Sequence, residues 1–175
     1  MKKKVLVVID MQASFGVYED DDIVFTIEGK IEAAMSVGAP IVFLEYEGHG
    51  GTIRYLTDLV ENYPKVHFIS KGVDDGSQHI MNMYNIYKTY KIEDVETFLF
   101  CGVNLEACVW RTVKGMAEKN PTIPMKILHD CCDSSNGKTY ATNVVLNPKR
   151  HLDNVALVGA ESEWNEDISD GGIGW

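Results

Sequence analysis

The sequence predicts one α/β domain: a six-stranded, mostly parallel sheet covered by helices on both faces, in three layers. Two observations predict it. Short apolar, β-branched runs alternate with amphipathic stretches along the chain, which is the pattern of βαβ units. The runs are apolar throughout rather than every second residue, as in strands buried on both faces. A length of 175 residues suits a single domain spanning the whole chain.

The elements follow in order. Val5–Ile9 is the first strand. Lys2, Lys3 and Lys4 precede it, as in a leader peptide, but Asp10 ends the run after five apolar residues, short of the roughly 7–15 of a leader core. A cytoplasmic protein is therefore expected. Ile27–Val37 has helical spacing and stops at Gly38-Ala39-Pro40. Ile41–Tyr46 is a second strand, Ile53–Tyr63 a helix closed by Pro64, and Val66–Ser70 a third strand. Ile80–Tyr90 reads as a helix, Thr97–Cys101 as a fourth strand ended by Gly102, and Leu105–Glu118 as a helix with Pro121 and Pro124 beyond it. Met125–His129, the helix Tyr140–Leu146 with Pro148 after it, and Val155–Val158 complete the sheet. From about residue 161 the tail is acidic and glycine-rich, and its Trp175 is a candidate for packing on a neighbouring subunit.

Composition excludes some functions. A net charge of −10 argues against nucleic acid and anionic membrane as partners. No apolar run approaches the ~20 residues that cross a bilayer. Cys101, Cys108, Cys131 and Cys132 form no CxxC pair and no zinc-finger spacing, so free thiols are expected. The segment from Asp10 to Gly16 lacks GxGxxG, which sets aside a dinucleotide-binding domain. A flavodoxin-like module remains a rival that predicts a yellow protein.

In such a sheet, chemistry gathers at the carboxyl ends of the strands. That rim carries Asp10, then Glu45, Glu47 and His49, then Lys71, then Gly102-Val103-Asn104 leading to Cys108, then Asp130 and Asp133. Cys108 falls near the start of a helix, where unpaired N–H groups favour a thiolate and can serve an oxyanion. On spacing alone, a buried cysteine acting as a small hydrophobe fits equally well. Lys71 alone reads as a solvated strand end and Asp10 as a cap. Spacing does not show that the three meet, although strand ends on one rim can.

Val7-Val8-Ile9-Asp10-Met11-Gln12 with Phe15, Phe68-Ile69-Ser70-Lys71 with Asp74-Asp75-Gly76, and Gly102-Val103-Asn104-Leu105-Glu106-Ala107-Cys108-Val109 occur in order. Together they resemble three motifs of the isochorismatase-like cysteine hydrolase superfamily, and Asp130 with Ser134 and Ser135 resembles the loop after its fifth strand. The resemblance runs from Val5 to about Val158 and implies a Rossmann-like hydrolase fold. It implies a triad in which Cys108 attacks a carbonyl carbon, Asp10 relays the proton and Lys71 helps ionise the thiol. A free cysteine, of pKa ~8.5, needs such help at neutral pH. It also implies a cis Val103–Asn104 peptide, an oxyanion hole from the amides of Asn104 and Cys108, and a homo-oligomer, dimer or tetramer.

The sequence departs from the family at two places. Leu105 stands where a threonine is common. In the Asp-x-His-x-x-His metal pattern of nicotinamidase-type members, Glu47 and His49 match loosely and Thr52 replaces the second histidine. A catalytic zinc wants three protein ligands, so no metal and no other cofactor is expected, and Gly48–Gly51 reads as a loop over the site. Phe15, Tyr18, Trp110 and His49 are candidates to line a substrate pocket. Vinyl-ether hydrolases of the superfamily lack the cysteine, so its presence implies hydrolysis of a small amide or carbamoyl compound. A catalytically inactive homologue that binds a small molecule, or serves as a scaffold, is the alternative.

Overall fold

A computed structural model describes residues 3–18, 21–86 and 91–159. The tail from about 161, Trp175 included, and the last turn of the expected Ile80–Tyr90 helix lie outside the described residues. Six strands, β1 (Lys3–Ile9), β2 (Ile41–Tyr46), β3 (Val66–Lys71), β4 (Val95–Val103), β5 (Met125–Asp133) and β6 (Val155–Val158), form one sheet in the order β3-β2-β1-β4-β5-β6. Every pairing is parallel. The helices are α1 (Asp22–Ser36), α2 (Arg54–Leu59), α3 (Ser77–Ile86), α4 (Trp110–Lys119) and α5 (Lys138–Val145).

Burial explains the apolar runs. Val5 through Ile9 of β1 and Ile41 through Leu44 of β2 are inaccessible to solvent or nearly so. Each such side chain contributes about 1.5–3 kcal/mol relative to exposure. Helix α1 packs on β1, β4 and β5 and against α2; α3 and α4 pack on each other, with α3 on β3 and α4 on β5 and β6.

Register decides the chemistry of the rim. Ile9 pairs with both Leu44 and Gly102, and Tyr46 pairs with Lys71. The residues just past these pairs, Asp10 and the segment after Gly102, therefore lie together with Lys71. Gly102 has φ +116°, and a Cβ there would sit 2.1 Å from the Ile9 carbonyl oxygen, so only glycine lets β4 approach β1 this closely.

Several boundaries differ from expectation. Helix α1 begins five residues earlier than Ile27. Helix α2 stops at Leu59 rather than Tyr63, with Val60 as its C-cap. Strand β5 runs on to Asp133 through a register shift between Phe100 and Gly102, so Asp130 and Asp133 are strand residues and not loop residues. The expected helix Leu105–Glu118 is two pieces: a π-helical turn over Leu105–Val109, then α4.

Candidate active site

Asp10 leaves β1 in the left-handed region, φ +53°, a conformation that aspartate tolerates better than most side chains. This turn aims its carboxylate inward. Lys71, at the end of β3, is fully buried and donates to Asp10 Oδ2 at 2.8 Å. The Lys71 ammonium also lies 4.4 Å from the centroid of the Tyr46 ring, so a cation–π contact and an ion pair replace its lost hydration. Asp10 Oδ1 is buried with no hydrogen-bond partner.

Cys108 sits inside the π-helical turn, whose defining bond runs from the Val109 N–H to the Asn104 carbonyl at 3.2 Å. Single π-turns often occur at functional positions, because they rotate side chains out of α-helical register. The Val103–Asn104 peptide that enters the turn is cis. Cys108 is buried, and its thiol lies 3.8 Å from Asp74 Oδ1. The thiol pKa is pushed up to about 12, first by burial, then by the neighbouring Asp10 carboxylate; Lys71 pulls the other way. Burial likewise raises the Asp10 carboxyl, while Cys108 and Lys71 lower it. The resting sulfur is thus a thiol whose hydrogen-bond contact is Asp74 Oδ1, and its ionisation waits on a proton acceptor.

Two clamps hold the nucleophile turn. Glu106 Oε1 accepts from Ser134 Oγ and from Asn136 Nδ2, both at 2.7 Å, and Asn104 Oδ1 accepts from the Ser135 N–H at 3.0 Å. Burial raises the Glu106 pKa, but the bonds from Asn136 and Ser134 outweigh it and the net shift is downward. On the other side, Arg111 pairs with Asp74 at 2.5 Å, and Thr112 Oγ1 accepts from the Gly76 N–H. The Asp74 loop is thereby fixed to α4 beside the thiol.

Beyond Tyr46 an aromatic group opens outward. His49 stacks on Phe15 with centroids 4.6 Å apart, and Tyr46 meets both edge-on. The Ser14 hydroxyl contacts His49 Nδ1 at 3.1 Å. The Gln12 amide ties this loop to β2: it donates to the Tyr46 and Gly50 carbonyls and accepts from the Tyr46 N–H at 2.7 Å. Phe15 and His49 thus lie one ring beyond the Lys71 ammonium, across Tyr46. Tyr18 is 60% exposed and outside this group. Trp110 is also elsewhere: it lines a cleft with Tyr140 and Lys149. Two helical positions from Cys108, its side chain leaves the helix on roughly the opposite face.

Sequence reasoning did not single out Gln12, Tyr46, Asp74, Glu106 or Arg111 as site residues. Asp74 and Glu106 stood inside the quoted motifs, so proximity to Lys71 and Cys108 was the available signal. As for a metal, the His49 ring is engaged by Ser14 and Phe15, and Glu47 with His49 supplies two donors where a catalytic zinc takes three. Among the described residues, no three His, Cys, Asp or Glu side chains converge as metal ligands. The donor set at Glu47 and His49 does not fit zinc.

Comparison with known proteins adds the following. The isochorismatase domain model matches residues 4–146. No curated protein matches. Among solved structures, a nicotinamidase from Staphylococcus aureus is similar at TM-score 0.66 and 19% identity, over 90% of this chain and all of that one. A MAR1 ribonuclease from Caenorhabditis elegans is similar at TM-score 0.70 and 18% identity, over 91% of this chain and 78% of that one. An isochorismatase-like hydrolase from Alkaliphilus metalliredigens is similar at TM-score 0.66 and 19% identity, covering 91% and 95%.

Proposed function

Because the chain belongs to the isochorismatase domain family, we propose that it is a cysteine hydrolase that cleaves the carbon–nitrogen bond of a small amide or carbamoyl compound. The observation that carries this is the buried Lys71–Asp10 pair beside the Cys108 thiol.

The Cys108 sulfur attacks the carbonyl carbon as Asp10 accepts the thiol proton. Lys71 steadies the negative charge on the pair as it moves from oxygen to sulfur. The oxyanion is held by the amides of Asn104 and Cys108. Collapse breaks the C–N bond, and Asp10 hands its proton to the departing nitrogen. Water then attacks the thioester, losing a proton to Asp10, and the acid is released as Cys108 regains its proton. Phe15 and His49 supply flat surfaces for the substrate. The chemistry uses the chain's own side chains and backbone amides, with no metal or cofactor. We place this activity in a cytoplasmic homo-oligomer, with neither nucleic acid nor membrane as partner. The net charge of −10 and the carboxylate of Asp74 beside the nucleophile oppose a phosphodiester substrate.

An inactive small-molecule binder is the second reading, favoured by the upward-shifted Cys108 thiol. The test is alkylation with iodoacetamide across pH, located by mass spectrometry, alongside ammonia release from a panel including nicotinamide and carbamoyl compounds. Cys108 should react ahead of Cys101, Cys131 and Cys132, all of which burial also pushes up. Asp10→Asn and Lys71→Ala should slow it, and Cys108→Ala should abolish ammonia release. Equal reactivity of all four thiols, with no ammonia from any amide, sinks the hydrolase reading.

A further inference from the structure

A cleft of about 610 Å³ lies between α4 and the segment from α5 to residue 152. Its walls carry Arg111, Lys114, Lys149 and Arg150 with Trp110 and Tyr140. Tyr140 is 56% exposed and Leu146, on an adjoining hollow that Arg150 and His151 also line, 59%. Lys114 pairs with Glu118 and Arg111 with Asp74, but Lys149 and Arg150 are exposed and have no ion-pair partner among the described residues. With Glu106 and Glu118 also on its walls, the cleft sets four Lys and Arg side chains against two carboxylates, on a chain whose net charge is −10.

Residues 160–175 have the complementary composition. They hold Glu161, Glu163, Glu166, Asp167 and Asp170, no Lys or Arg, and the apolar Trp164, Ile168, Ile173 and Trp175. These five acids amount to half of the chain's net charge of −10. Topology brings the segment to the cleft. Strands β4 and β6 are parallel and separated only by β5, so Val158 ends on the rim where Glu106 and Arg111 open the cleft, roughly 10 Å across the sheet. From that rim α4 runs for ten residues, about 15 Å, toward the Lys149–Arg150 end. Sixteen residues reach up to ~50 Å when extended.

We propose that this cleft is the docking site of the chain's own residues 160–175, with the acids on Lys114, Lys149 and Arg150 and an indole or isoleucine side chain against the exposed Tyr140 and Leu146. The inference stands apart from the hydrolase reading, since it uses neither Cys108 nor Asp10.

Zero-length carbodiimide coupling of the full chain, mixed half and half as light and heavy isotope forms, tests it by mass spectrometry. The expected products join an acid of 161–170 to Lys149 or Lys114 within one chain, ahead of links to the other lysines. Arg150→Glu, an exposed change that leaves the fold intact by circular dichroism, should reduce them about fivefold, as should high salt. Links spread over lysines in proportion to their exposure overturn the proposal, as does indifference to Arg150→Glu. Products pairing light with heavy chains also overturn it, and assign the cleft to the tail of a second copy.

Discussion

Lys71 is a lysine without solvent, and what surrounds it decides its cost. Its ammonium has one carboxylate oxygen at 2.8 Å and one aromatic face. Removing one partner of a buried pair costs roughly 3–5 kcal/mol, while removing both with apolar or neutral isosteres is often close to neutral. Lys71→Met should therefore destabilise the protein by about that amount in chemical denaturation, and Lys71→Met with Asp10→Asn should recover most of it while remaining inactive. The pH dependence has a definite sign. Burial already raises the Asp10 carboxyl, and losing Lys71 raises it further. A raised carboxyl favours the protonated folded form, so the single variant should lose stability as pH climbs from about 4 through the folded pKa. A double variant no more stable than Lys71→Met would show that the pair is not the coupled unit described here.

The nucleophile turn is where sequence and structure part. Val103-Asn104-Leu105-Glu106 reads as the entry to an α-helix that continues to Glu118, yet Leu105–Val109 is a π-turn. Helical periodicity is blind to this because the turn is set from outside, by Ser134 and Asn136 on Glu106 and by Ser135 on Asn104, contacts thirty residues away in sequence. The strands were legible for the opposite reason: β1 and β2 are apolar runs whose burial needs no partner to be specified. Strand β5 was legible only to His129, since its continuation through Cys131 and Cys132 follows a register shift that no local pattern announces. If Glu106 holds the turn, Glu106→Ala should cost about 1.5–3 kcal/mol, as loss of charged hydrogen bonds does, and slow Cys108 alkylation. Glu106→Gln, which keeps one acceptor, should restore much of both. Unchanged alkylation in a destabilised Glu106→Ala would reduce the residue to a purely structural tie.

At the scale of the molecule, the parallel sheet was implicit in the alternation, and the rim that it creates could be listed from sequence with Asp10, Lys71 and Cys108 among its residues. Their meeting could not, because register between β1, β3 and β4 is a property of the folded sheet. The field around that rim was half legible: the net charge of −10 is read from the residues, but Asp74 beside the thiol comes only from the folded loop. Together they imply a discrimination by charge. Iodoacetamide is neutral and iodoacetate anionic, and they attack the same sulfur. Repulsion of about 1 kcal/mol corresponds to roughly five- to tenfold in rate, so Cys108 should prefer iodoacetamide by that factor beyond the preference of a small free thiol. The excess should shrink in high salt, where charges beyond about 3 Å are screened at 1 M, and shrink again in Asp74→Asn. The same preference would direct the substrate search toward neutral and cationic amides. A Cys108 that reacts faster with iodoacetate would instead mean that Lys71 and Arg111 dominate the local field, and the search should turn to amides that carry a carboxylate.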